Sequence, residues 1–117
     1  MINGIPTRVL KERLDNPLGE LAILDVREEG VFAEGHLLFA SNAPLSRLEI
    51  VMPRLVPRFS TQIVLCDGGD KHEDLVYRAG DLLNRCGYSD VNALEGGVGG
   101  WRKEGYGLFS GINVPSK

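Results

Sequence analysis

Cysteine, tryptophan, histidine and methionine are all scarce in this 117-residue sequence, and each scarcity narrows what the chain can be. The two cysteines, Cys66 and Cys86, form no close C-x-x-C pair, and only His36 and His72 could add imidazole ligands, so no metal site is expected. Their spacing leaves a disulfide open, although a reducing cytoplasm would disfavour one. No apolar run approaches the ~18 residues of a membrane-spanning helix. Residues 1–6 lack the basic stretch and following apolar run of a signal peptide, so a cytoplasmic protein with no membrane association is expected. Thirteen Lys and Arg against sixteen Asp and Glu leave a net charge of −3 without a basic cluster. A nucleic-acid backbone needs such a cluster, so no nucleic-acid partner is expected. Internal repeats and low-complexity segments are also missing.

What remains is an ordinary globular composition, 43% hydrophobic and 25% charged. The length suits one domain, which should bury roughly two-thirds of the surface its unfolded chain exposes. Thr7 is placed to cap a helix over residues 8–14, which Asn16-Pro17 ends. Leu21-Ala22-Ile23-Leu24 runs into Asp25-Val26-Arg27 as a buried strand. Residues 28–34 suit a short helical turn stopped by Gly35. Residues 45–56 show helical spacing that Pro53 should kink or split. Gln62-Ile63-Val64-Leu65 is a second strand, leading straight to Cys66. Leu75, Val76, Ala79, Leu82 and Leu83 mark one face of a long amphipathic helix, which Gly87 stops. Residues 91–94 form a third strand, Glu95-Gly96-Gly97 a tight turn, and residues 98–104 a short helix carrying Trp101. Strands alternating with helices predict parallel pairing through crossovers, an α/β fold. Residues 1–106 are read as one domain, and residues 107–117, which show no periodicity, as a tail or linker.

The chemistry-bearing stretch is Cys66-Asp67-Gly68-Gly69-Asp70-Lys71-His72, between the second strand and the long helix. Ligands of open α/β sheets bind outside the carboxyl ends of strands, where this loop sits. Paired glycines allow successive N–H groups to converge on one centre, which stabilises an anion there. A cysteine at such a rim would gain thiolate character. Two plainer readings compete with this. Asp70 and Glu73 have capping-box spacing, and a cysteine after an apolar strand is commonly a small buried residue.

Four segments in order resemble the rhodanese family of sulfurtransferases. These are Leu24-Asp25-Val26-Arg27 with Gly35-His36-Leu37 and Asn42-Ala43-Pro44; Ile63-Val64-Leu65-Cys66; Gly87-Tyr88 with Val91; and Leu94-Glu95-Gly96-Gly97 with Trp101. The resemblance implies a central parallel sheet with helices on both faces and a catalytic Cys66 that carries sulfur as a persulfide. The donor would be a small molecule such as thiosulfate or a persulfide, and the acceptor a thiol or cyanide, with no cofactor. Asp67, Gly68, Gly69, Asp70, Lys71 and His72 would bind the substrate, with backbone N–H groups from Asp67 through Lys71 cradling the anionic sulfur. Related phosphatases use a loop one residue longer, closed by an arginine that grips phosphate. Here the basic residue comes at Lys71 and His72 holds the arginine position, which favours sulfur over phosphate.

Two features depart from the family pattern. Asp67 stands where efficient thiosulfate users often carry a basic residue, and Asp67, Asp70, Glu73 and Asp74 disfavour a thiolate and repel a dianionic donor. Weak thiosulfate activity, or preference for a less anionic persulfide donor, is the expectation. Leu38-Phe39 replaces the usual Pro-Gly, so the run Leu37-Leu38-Phe39 is expected to be exposed enough to pack on a partner domain. The tail resembles that of units in tandem rhodanese proteins, which makes additional rhodanese domains in a longer chain an expectation. Asp25 and Arg27 are read as a structural ion pair near the site, His36 as a hydrogen-bonded structural histidine, Cys86 as half-buried filler and Trp101 as packed on the sheet. The alternative to an enzyme is a non-catalytic rhodanese-like module that binds or regulates a partner.

Overall fold

Short, largely apolar segments form the three inner strands, because a strand covered on both faces has no solvent side on which to place polar residues. The computed structural model describes residues 2–16, 19–70 and 74–111. Its elements run β1 (Asn3–Ile5), α1 (Thr7–Asp15), β2 (Leu21–Asp25), α2 (Glu29–Glu34) and β3 (Ala40–Asn42). A 3-10 turn (Leu45–Arg47) then leads into α3 (Leu48–Leu55), followed by β4 (Gln62–Cys66), α4 (Leu75–Cys86), β5 (Val91–Leu94) and α5 (Gly97–Lys103). The strands pair in parallel in the order β1-β5-β4-β2-β3, with β4 in the middle. The α/β class and the parallel sheet read from the sequence are those observed.

Alternation along each strand divides the core in two. Leu24, Ile63, Leu65, Val91 and Ala93 face α3 and α4 together with Val51, Met52, Val76, Ala79 and Leu83. Ile5, Ile23, Val64, Cys66 and Leu94 face the other way, toward Leu10, Phe32, Val98 and Trp101 of α1, α2 and α5. Helices thus cover both faces of the sheet.

Several local details differ from the sequence reading. Strands β1 and β3, three residues each, have too little length for a periodic signal and form because β5 and β2 offer them parallel edges. Thr7 lies inside α1, whose N-cap is Pro6. The break expected at Pro53 comes instead before Leu48, and α3 continues through the proline. Pro53 is exposed in the final turn, where its missing N–H costs one bond, and Val56 N donates to Met52 O (2.8 Å) to close the helix. Leu37 is buried rather than exposed, while Phe39 is exposed and holds φ 70, a left-handed conformation suited to glycine. Part of the supposed tail is bonded back to the domain. His36 and Phe109 exchange both backbone hydrogen bonds (2.8 Å each), and Gly111 N donates to Ala33 O (2.8 Å).

Candidate active site

The carboxyl ends of β2 and β4 lie side by side, and their last residues, Asp25 and Cys66, are register partners. Cys66 therefore ends the central strand, and the loop that follows crosses the end of the sheet. That loop is clamped to the start of α5: Val98 N donates to Asp67 O (2.8 Å) and Gly99 N to Gly68 O (3.0 Å). Glycine is required on both sides of this contact. Gly69 adopts φ +90, and a Cβ there would coincide with the Gly96 carbonyl. Gly97 adopts φ +57, and its Cβ would lie 2.5 Å from Asp67 O. The sequence signal for this clamp is the glycine density before Trp101, which marks a turn and a family-like segment without showing what it contacts.

The thiol itself is fully buried, on the face of β4 that carries Val64, and it clusters with Val98 and Trp101. Burial pushes its pKa well above the ordinary thiol range; Asp25 raises it further, Arg27 opposes this, and Asp67 adds a smaller rise. Thiolate character expected from the glycine loop is thus outweighed by desolvation, which penalises the charged form. One amide of the expected cradle is also committed, since Gly69 N–H donates to Asp67 Oδ1 (2.9 Å). Asp67 is buried and Asp70 exposed. Lys71 and His72, with Glu73 of the supposed capping box, lie outside the described residues.

Arg27 grips the buried Asp25 in a fork, with Nε donating to Oδ1 (2.9 Å) and Nη2 to Oδ2 (2.7 Å). Nη2 also donates to the Gly35 carbonyl (2.7 Å), tying β2 to the end of α2. Asn42 donates to the carbonyls of Asp25 (3.2 Å) and Arg27 (2.8 Å), so the ends of β2 and β3 are cross-linked. His36 is fully buried. Its ring stacks on Phe32 at 4.0 Å between centroids, with Nδ1 2.9 Å from Leu37 O and Nε2 3.0 Å from Gly111 O. Cys86 is exposed at the end of α4 and free. Among the described residues no group of His, Cys, Asp and Glu could hold a metal ion, and no helix is long and apolar enough to cross a membrane.

Two cavities flank the loop. One, of about 430 Å³, is lined by Gly4, Asp67, Asp70, Tyr77 and Glu95 among others. The other, of about 200 Å³, lies between α2, the loop and α5, with Arg27, Glu34, Gly68, Val98 and Arg102 on its walls. The sequence reading singled out neither Glu34 nor Arg102, because nothing in linear spacing joins α2 to α5.

A parallel sheet ending in a cysteine loop is matched by comparison with known proteins: residues 7–104 fit the family model of the rhodanese-like domain. The chain belongs to the rhodanese-like family. A thiosulfate sulfurtransferase from Pseudomonas aeruginosa superposes on 93% of this rhodanese-like domain with 44% identity and a TM-score of 0.85. The chain spans about a fifth of that protein's length, 20%. The rhodanese-like domain of an Anabaena protein, 27% identical, matches 100% of this chain and 94% of its own, with a TM-score of 0.81. A rhodanese-related protein from Thermoplasma volcanium shares the fold at 22% identity, with a TM-score of 0.74 over 95% of this chain and 99% of its own. A search of curated protein sequences found no match.

Proposed function

We propose that this rhodanese-like domain is a sulfurtransferase in which Cys66 carries sulfane sulfur from a donor to a thiophilic acceptor. The observation that carries this reading is the position of Cys66: the last residue of the central strand, opening a glycine loop clamped to α5. The thiosulfate sulfurtransferase that is 44% identical supports it. The Cys66 thiolate would attack the outer sulfur of thiosulfate or of a persulfide. The S–S bond of the donor breaks with its electron pair going to the departing sulfite or thiolate, and Cys66 keeps the outer sulfur. Cyanide or a protein thiol then removes that sulfur, and no cofactor takes part. Because the thiol is buried and held neutral, the covering residues must move before a donor reaches it, and turnover with thiosulfate is expected to be slow.

That same burial favours a second reading, a rhodanese-like module that binds or regulates a partner and uses Cys66 only to fill the core. Intact mass after incubation with thiosulfate or a persulfide donor distinguishes the two. Gain of one sulfur atom, reversed by cyanide and missing in Cys66→Ser, supports the enzyme. No adduct with any donor leaves the binding module. The cytoplasm as location, and further rhodanese domains beyond this one, belong to the same proposal.

A further inference from the structure

Resting on the reading of Cys66 as a sulfur carrier, we infer that the cavity between α2 and α5 selects a zwitterionic amino-acid persulfide, with Arg102 holding its carboxylate and Glu34 its ammonium group. The cavity adjoins the thiol's own cover. Gly68 lies two residues beyond Cys66, and Val98 both lines the cavity and packs in the cluster that encloses the thiol. Its volume of about 200 Å³ is below the roughly 300–1,000 Å³ of sites for drug-sized ligands, and it has room for a molecule the size of a small amino acid.

Its charges are arranged for a ligand carrying both signs. Arg27 is engaged by Asp25 and the Gly35 carbonyl, so it forms a fixed wall whose charge is largely matched. Arg102, on α5, and Glu34, at the end of α2, line the same space, yet among the described residues neither side chain has an ion pair or a side-chain hydrogen bond. Opposite charges on the rim of one small cleft, both exposed and with no ion pair between them among the described residues, leave room for a ligand that completes both pairs. A dianion such as thiosulfate would gain from Arg102 and lose to Glu34. A zwitterion gains from each, and its side chain would carry the sulfane sulfur toward Gly68.

The chemical step conserves atoms and electrons. Cys66 gives up its thiol proton and its thiolate attacks the outer sulfur of the donor R–S–S–H. The donor's S–S bond breaks with its electron pair going to the inner sulfur, which takes a proton and leaves as R–S–H. Cys66 is left as the persulfide, without any external oxidant or reductant.

Three donors test this: the persulfides of cysteine, of cysteamine, which has no carboxylate, and of 3-mercaptopropionate, which has no amine. The rate of sulfur loading on Cys66 is read by intact mass in a Cys86→Ser background, because the exposed Cys86 would also take sulfur. The wild-type domain should load fastest from cysteine persulfide. Arg102→Gln should slow the two carboxylate donors about three- to tenfold and leave cysteamine persulfide unchanged. Glu34→Gln should slow the two amine donors by a similar factor and spare 3-mercaptopropionate persulfide. If Cys66 loads from all three donors and both substitutions scale them equally, or not at all, the cavity assignment is overturned while the sulfur-carrier reading stands. If Cys66 takes sulfur from none, the carrier reading fails and this inference falls with it.

Discussion

Asp25 and Cys66 face each other across the β2–β4 register, and the carboxylate is gripped by Arg27 while its field falls on the thiol. Strand pairing therefore sets a negative charge beside the proposed sulfur carrier, and the guanidinium two residues later limits its effect. The site's reactivity depends on how these two charges balance around a thiol that burial already keeps protonated.

Neutralising the carboxylate should release the thiol. In Asp25→Asn the charge that raises the Cys66 pKa is gone while Arg27 still lowers it, so alkylation of Cys66 by iodoacetamide at pH 8 should become faster. Arg27→Gln removes the charge that lowers the thiol's pKa and, by stranding a buried carboxylate, should cost roughly 3–5 kcal/mol of stability. Alkylation rates and denaturant midpoints read both effects. An Asp25→Asn variant that stays folded and labels no faster than wild type would refute the electrostatic account.

The two cysteines should label in a set order. At neutral pH the exposed Cys86 reacts first, and Cys66 only once the fold opens or the pH climbs. Because the folded thiol's pKa is raised, its neutral form contributes stability below the unfolded value of about 8.5, and that contribution is lost as pH rises beyond it. Wild type should therefore lose stability relative to Cys66→Ala above about pH 8.5, by at most ~1.4 kcal/mol per pH unit. Equal pH profiles for the two proteins would contradict the shift.

Prying the loop from α5 should damage the site before it unfolds the sheet. Gly69→Ala and Gly97→Ala each place a Cβ on backbone atoms at a positive φ, a strain of ~1–2 kcal/mol before any clash is counted. We expect losses above about 2 kcal/mol in thermal or urea unfolding, with faster labelling of Cys66. By contrast Gly105→Ala, where nothing lies within 4 Å of the added Cβ, should show only the cost of its φ of +87.

Adjacent residues of the turn after His36 should respond in opposite ways. Leu37 is in the core, and Leu37→Ala should cost about 2–5 kcal/mol. Phe39→Gly relieves a left-handed backbone at an exposed site and should change stability by no more than about 1 kcal/mol. Urea midpoints of the two variants check this, and comparable losses would mean that the Phe39 ring is an essential packing group.

Much of the fold was legible because the central strands and the long helix carry strong periodic signals. Leu21–Asp25, Gln62–Cys66 and Val91–Leu94 are apolar runs of strand length, and α4 shows one apolar face over three turns. The edge strands β1 and β3 were invisible because three residues cannot show a period, and they take shape only from their neighbours. At the site, the sequence placed Cys66 at a strand end before a glycine loop. It did not show that the thiol faces α5, nor that α2 and α5 bring Glu34 and Arg102 to one cavity.

By itself, the order of residues determined a parallel α/β sheet and put Cys66 where the central strand gives way to a glycine-bearing loop, since hydrophobic period and glycine placement act locally along the chain. Only the tertiary structure decided that thiol's protonation and access. Both depend on groups brought in from elsewhere: Asp25 by strand register, Val98 by helix packing, and the low polarity of a core that no single segment contains.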